Sequence, residues 1–210
     1  YDERSDTNLR DPRQENEMNN EARAALILKG EPIGDVPNKN IKSMQLSMEL
    51  AAILHEGQLD KAGEPYINHV ARVVEVVARS LPAGLSSDEK AATISAAWLH
   101  DVGEDTDIDI RDVIMVFPSG VGHMVSMLSR NSDRYKGKTY AEYVERIGKS
   151  ESHAAIIKRA DLWDNRYRGK LPKSMMQRYD RALSMLGTPK GFPYPKLPSP
   201  DRDLVAGAEK

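Results

Sequence analysis

The 210-residue chain has no cysteine, which excludes a disulfide framework and thiolate chemistry. Aromatic residues are few: with two Trp and two Phe, the core must be filled chiefly by Ala, Leu, Ile, Val and Met. No apolar run approaches the roughly 20 residues needed to cross a bilayer. The N-terminus lacks the basic-then-apolar layout of a signal peptide. Excess charge of one sign is also missing. Thirty Lys and Arg against 32 Asp and Glu leave a net charge of −2, so any anionic ligand must be met by local basic groups rather than by a global field. These absences lead to the expectation of a cytoplasmic protein with no membrane partner and no stable nucleic-acid complex. Strand-type alternation is nearly absent as well.

What is present is helical periodicity. Met44, Met48, Ala51, Ala52 and His55 read as one apolar face, and Ile67, Val70, Ala71, Val74, Val77, Ala78 and Leu81 as another that stops at Pro82. Capping boxes at Ser86 with Glu89 and at Thr139 with Glu142 predict two helix starts. The last helix has Pro172 in its first turn, turns Met175, Met176, Tyr179, Leu183 and Leu186 inward, and ends at Gly187. Shorter helices are expected over 110–117 and 119–130, with Ser119 as a cap. The expectation is an all-α helical bundle over 41–187, preceded by a polar arm over 1–40 with a short helix at 21–29. A proline-rich tail over 188–210 follows.

The stretch LHDVGEDT carries His100, Asp101, Glu104 and Asp105 within six positions. On a continuous helix, a spacing of four sets His100 beside Glu104 and Asp101 beside Asp105. Carboxylates next to the apolar AAWL need a cation or hydrogen-bond donors to compensate their burial. His69, after GEPYIN, and Asp161, in IIKRADLWDN, lie on two further helical segments. Two imidazoles and two carboxylates make a mixed nitrogen and oxygen set suited to Mn²⁺, Fe²⁺ or Zn²⁺.

In their order and spacing, GQLDKAGEPYINH, LHDVGEDT and IIKRADLWDN resemble the HD-domain hydrolase module of the RelA/SpoT superfamily, which includes stand-alone small alarmone hydrolases. The resemblance covers about residues 42–187. It implies an all-helical HD domain that holds Mn²⁺ and removes the 3′-pyrophosphate from guanosine tetra- and pentaphosphate. It further implies His69, His100, Asp101 and Asp161 as metal ligands, and Glu104 and Asp105 as the groups that position or deprotonate water. Lys61 falls where the family has a basic residue near the nucleotide, and Asn165 where it has a ribose-contacting amide. Two departures stand out: Asp60 occupies a position usually basic, and Asp164 a position more often His. Arg168, at a position often Thr, joins a basic cluster of Lys158, Arg159, Arg166, Lys170 and Lys173. That cluster reads either as a phosphate-holding flank of the cleft or as a solvated surface.

The leading expectation is therefore a metal-dependent alarmone 3′-pyrophosphohydrolase that leaves GDP or GTP. Asp60 keeps in view an HD phosphohydrolase of an adenine alarmone, of the NADPH 2′-phosphate or of another nucleotide, and a catalytically silent alarmone-binding module is a third reading. The terminal arms are candidate contacts for a homo-oligomer or a protein partner. His55 reads as a hydrogen-bonded structural histidine, and His123 and His153 as surface or interfacial residues.

Overall fold

The computed structural model of the chain describes residues 20, 22–25, 27–30, 32–34, 37–130, 137–150, 152–168, 171–187 and 192. Among them, the regular structure is helical: α1 Lys39–Leu54, α2 Tyr66–Ser80, α3 Ser87–Trp98, α4 Val102–Asp105, α5 Ile110–Val116, α6 Ser119–Leu128, α7 Tyr140–Gly148, α8 Ala154–Arg168 and α9 Lys173–Leu186. Among the described residues the one β-type pairing is an isolated bridge between Leu59 and Pro65, which closes the loop before α2. No helix among the described residues is long and apolar enough to cross a membrane.

Local chemistry accounts for the helix ends. Both predicted capping boxes are formed, with Ser86 starting α3 and Thr139 starting α7. Pro65 and Pro172 sit immediately before α2 and α9, where the lost N–H has no intrahelical partner to miss. Gly187, at φ 64°, ends α9 in a conformation a side chain would resist. Ser119 is not a side-chain cap: Pro118 holds the cap position, and α6 starts without a side-chain hydrogen bond.

Helices α3 and α8 form the centre of the bundle. α3 packs on α1, α2 and α6, and α8 on α2, α7 and α9. The small side chains of α3 (Ala91, Ser95, Ala96 and Ala97) are buried and permit close approach from several sides. This explains why α1 does not bury the expected methionine face. Its buried residues include Ser43, Ser47, Leu50, Ala51 and Leu54, whereas Met48 is 48 % exposed. Ser43 meets Ser95 of α3 through a buried hydroxyl pair at 2.9 Å, so a short polar contact takes the place a long apolar side chain would need. α2 is likewise rotated from the expected face, burying His69, Val70, Val73, Val76 and Val77.

Ahead of α1, residues 22–25 and 27–28 are helical. Ala24 and Leu28 join the core, and the Ile33 N–H donates to Val116 O at 2.8 Å, so this part of the expected arm packs on the bundle. Phe192 also packs against the core, while residues 1–19 and 193–210 lie outside the described residues.

The expected continuous helix through LHDVGEDT is broken. α3 ends at Trp98, the chain turns through Leu99, His100 and Asp101, and α4 restarts at Val102. Gly103 lets α4 lie close to Ser129, just past α6, and to Ile110, at the start of α5: a Cβ there would sit 2.9 Å from Ser129 Cβ and 3.1 Å from Ile110 Cδ1. Ala has the better helix propensity by about 1 kcal/mol, but this overlap outweighs it. Gly103→Ala is expected to destabilise the fold by about 1–3 kcal/mol, measured by denaturant unfolding, and an unchanged midpoint would refute the close-approach account.

Candidate metal centre

Three elements converge on one point. His69 projects from the first turn of α2, His100 and Asp101 from the turn between α3 and α4, and Asp161 from the middle of α8. All four are buried, and one donor atom from each lies within 4.8 Å of all the others. His69 Nε2 is 3.5 Å from both Asp101 Oδ2 and Asp161 Oδ1. His100 Nε2 is 2.9 Å from Asp101 Oδ2 and 3.9 Å from Asp161 Oδ1.

The ring orientations show what the cluster fits. His100 Nδ1–H donates to Ala97 O at 2.8 Å, and His69 Nδ1–H donates to Asp164 Oδ2 at 2.8 Å. Each ring therefore turns its Nε2 towards the two carboxylates, and both Nε2 atoms are buried without a hydrogen-bond partner. Two orphaned imidazole nitrogens aimed at two buried carboxylate oxygens constitute a site that fits a divalent cation.

The carboxylates are prepared differently. Asp161 presents Oδ2 to Lys158 Nζ at 2.8 Å, while Oδ1 faces the imidazoles and accepts from Asn165 Nδ2 at 2.5 Å. Asp101 Oδ2 lies 2.7 Å from the Tyr66 hydroxyl, which is also 2.8 Å from Asp105 Oδ2, so one hydroxyl hydrogen serves two carboxylates. Burial works to raise the pKa of Asp101, but the His100 and His69 imidazoles outweigh it and hold the group well below the usual carboxylate range. For Asp161, Lys158 is the largest of the influences that overcome burial and lower its pKa. Burial alone would lower the imidazole pKa values. The carboxylates of Asp101, Asp161 and Asp164 around the ring instead hold His69 well above the usual value, and the Asp101 charge raises His100.

Glu104 and Asp105 flank this cluster without joining the four-atom group. Glu104 Oε1 accepts from Arg130 N at 2.7 Å, and burial raises its pKa. Lys61 donates to Asn165 Oδ1, so Asn165 links Lys61 to Asp161. Arg168 Nε donates to Asp164 Oδ1 at 3.0 Å. Lys61, Asn165 and Arg168 line one small pocket with Asp60, Ala62, His69, Arg72 and Asp164.

Much of the basic cluster has partners within the bundle. Lys158 and Arg159 are buried, Arg159 donating to Leu186 O and Gly187 O at the end of α9, and Arg166 pairs with Asp180 at 2.7 Å. Arg159 and Arg166 thus serve the α8–α9 contact, while Lys158 Nζ stands 2.8 Å from Asp161 Oδ2 at the edge of the metal centre. Lys173 is exposed at the start of α9, and Lys170 lies outside the described residues. His55 is buried, bonded through Nδ1 to Gln58 and stacked on Tyr66 at 4.8 Å, while its Nε2 is buried without a hydrogen-bond partner and lies outside the four-residue group. His123 is exposed, and His153 is half-buried near Thr93. Sequence reasoning missed Tyr66 and Arg72. The tyrosine's only signal was its place three residues before His69, and the arginine's was its place three residues after, each a helical turn from a ligand.

Comparison with known proteins agrees with this geometry. The HD domain family matches residues 47–156, a stretch that contains His69, His100 and Asp101 and stops short of Asp161. The guanosine-3′,5′-bis(diphosphate) 3′-pyrophosphohydrolase MESH1 of Drosophila melanogaster is 32 % identical over 120 residues, covering 56 % of this chain and 64 % of that protein. The bifunctional (p)ppGpp synthase/hydrolase SpoT of Escherichia coli K12 is 34 % identical over 95 residues, 45 % of this chain and 12 % of that protein. The chain thus spans under two thirds of the fly relative and a small part of the bacterial one. A solved structure of a metazoan SpoT ortholog, described as hydrolysing ppGpp and playing a role in starvation responses, superposes with a TM-score of 0.54 at 25 % identity, covering 73 % of this chain and 86 % of that one.

Metal loading should release protons, because His69 and His100 are held above the usual imidazole pKa and must expose neutral Nε2 lone pairs to coordinate an ion. Since a raised imidazole pKa favours the protonated, ion-free protein as pH falls, affinity should decline on acidification and recover as pH rises. Calorimetry of Mn²⁺ binding in two buffers of different ionisation enthalpy reads the release directly. A proton count of zero at about pH 7 would contradict it.

Proposed function

The chain belongs to the HD domain family, and from that premise we propose that it is a metal-dependent pyrophosphohydrolase of guanosine alarmones, removing pyrophosphate from the ribose 3′ position to leave GDP or GTP. The observation that carries this reading is the pair of orphaned imidazole nitrogens set on Asp101 and Asp161. Support comes from relatives named as ppGpp pyrophosphohydrolases. Residues 41–187 form the hydrolase unit in this reading. The ion is Mn²⁺, with Fe²⁺ and Zn²⁺ compatible with the same donors.

His69, His100, Asp101 and Asp161 would hold a divalent ion, which would supply Lewis acidity for attack at phosphorus. The protein groups do the rest. Glu104, made more basic by burial, holds the attacking water and accepts its proton. Asp105 is oriented by the Tyr66 hydroxyl that also steadies Asp101, so water position and ligand position are tied through one side chain. At the mouth, Lys61 and Asn165 offer donors to the nucleotide, and Arg168, whose side chain is 38 % exposed, meets phosphate charge.

Asp60 favours a second reading with the same chemistry and a different base. Its carboxylate accepts from Ala62 N, Glu64 N and Arg72, so it shapes the loop, and this position presents no cation to a nucleobase. The deciding experiment is a panel of guanosine tetraphosphate, guanosine pentaphosphate, an adenine alarmone and NADPH with Mn²⁺ and product identification. Release of pyrophosphate from the guanine compounds is expected. Cleavage confined to another member would replace the substrate, and binding without turnover would point to a sensor module.

Glu104→Gln should lower kcat by on the order of 10²–10⁴ while leaving Mn²⁺ affinity near wild type. His100→Ala and Asp101→Ala should lose ion and activity together. Equal loss of the ion in Glu104→Gln, read by calorimetry, would remove Glu104 from the water-handling role.

A further inference from the structure

Asp161 and Asp164 stand one turn apart on α8 and face the same imidazole. Asp161 Oδ1 is 3.5 Å from His69 Nε2, and Asp164 Oδ2 accepts the Nδ1–H at 2.8 Å, so the ring lies between two carboxylates and is hydrogen-bonded to one of them. Asp164 is itself buried, with 4 % of its surface exposed. A buried carboxylate in this position costs stability unless other groups compensate it. Arg72, three residues after His69 on the same face of α2, donates Nε to Asp164 Oδ1 at 2.9 Å and Nη2 to Asp164 Oδ2 at 3.0 Å. Its Nη2 also reaches Asp60 Oδ2 at 2.9 Å, and its Nη1 reaches Glu64 Oε2 at 3.1 Å. One guanidinium therefore ties the loop before α2 to α8 behind the His69 ring.

His100 is supported differently: its Nδ1–H goes to the neutral Ala97 carbonyl. The two imidazoles are thus inequivalent, one backed by an anion and the other by a peptide. A carboxylate behind an imidazole fixes the tautomer with hydrogen on Nδ1, fixes the ring plane, and raises the electron density offered at Nε2. We infer that Asp164 is the positioning residue of this metal centre, holding His69 as the stronger nitrogen donor, and that Arg72 and Asp60 hold Asp164 in place. The inference rests on the metal site proposed above and not on its substrate. Asp60 and Asp164, the two acidic departures from the resembled family's pattern, then have one shared explanation, because both close on Arg72.

The test is Zn²⁺ affinity, measured by competition with a chromophoric chelator on the full chain, with helicity checked by circular dichroism. Asp164→Ala should weaken binding by about 10–100-fold, and Asp164→Asn, which keeps an acceptor for Nδ1–H but no charge, should fall between Ala and wild type. Glu64→Gln removes an outer contact of the same network and should leave affinity within about twofold of wild type. A folded Asp164→Ala protein that binds Zn²⁺ like wild type would overturn the assignment. So would an equal loss in Glu64→Gln, which would trace the effect to loop disturbance. Should Asp164→Ala lose helicity, Asp164→Asn decides, with unchanged affinity counting against Asp164 and weakened affinity for it. Absence of Zn²⁺ binding by the wild-type chain would instead remove the metal site itself.

Discussion

Two buried carboxylates and two buried imidazole nitrogens without hydrogen-bond partners share one small volume, and much of the local structure follows from holding them there. Burying a carboxylate without compensation costs several kcal/mol or more, and the protein supplies partial compensation from several directions. Lys158 neutralises the outer oxygen of Asp161, Tyr66 bridges Asp101 to Asp105, and Arg72 supports Asp164 behind His69. What these groups leave uncompensated is the inward face of the cluster, where donor atoms of both kinds converge. That face fits a divalent cation.

Local structure serves that convergence. Between α3 and α4 the helix must break, because His100 and Asp101 both point to the same centre and successive residues on a straight helix diverge by about 100°. α3 can approach α1, α2 and α6 closely because its buried residues are small, and this brings the His-Asp turn to the inner end of the bundle. The same pairing of α2 with α8 that buries Val70 and Val73 also sets His69 against Asp161 and Asp164.

The sequence disclosed the chemistry more readily than the packing. His69, the His100–Asp101 pair and Asp161 carry rare donor types in a recognisable order, and capping boxes at Ser86 and Thr139 announce their helices by local hydrogen bonding alone. The inward face of α1 was hidden because Ser43 and Ser47 look polar in sequence, yet they enter the core through a hydroxyl pair with Ser95 and a bond to Met44 O. Lys158 and Arg159 read as part of a phosphate-holding flank or a solvated surface, since nothing in the linear order shows that Asp161 and the end of α9 stand ready to receive them. Asp60 read as a change in base contact for a similar reason: its partner Arg72 is twelve residues away and reaches it only after the loop closes on α2.

The central claim is that the four converging groups hold one divalent ion. Diffraction from Mn²⁺-loaded crystals, recorded at the manganese absorption edge, tests it most directly. One anomalous peak is predicted, at coordination distance of about 2.0–2.3 Å from His69 Nε2, His100 Nε2 and carboxylate oxygens of Asp101 and Asp161. A loaded, folded protein with no peak there, or with the ion bound by other residues, would contradict the account.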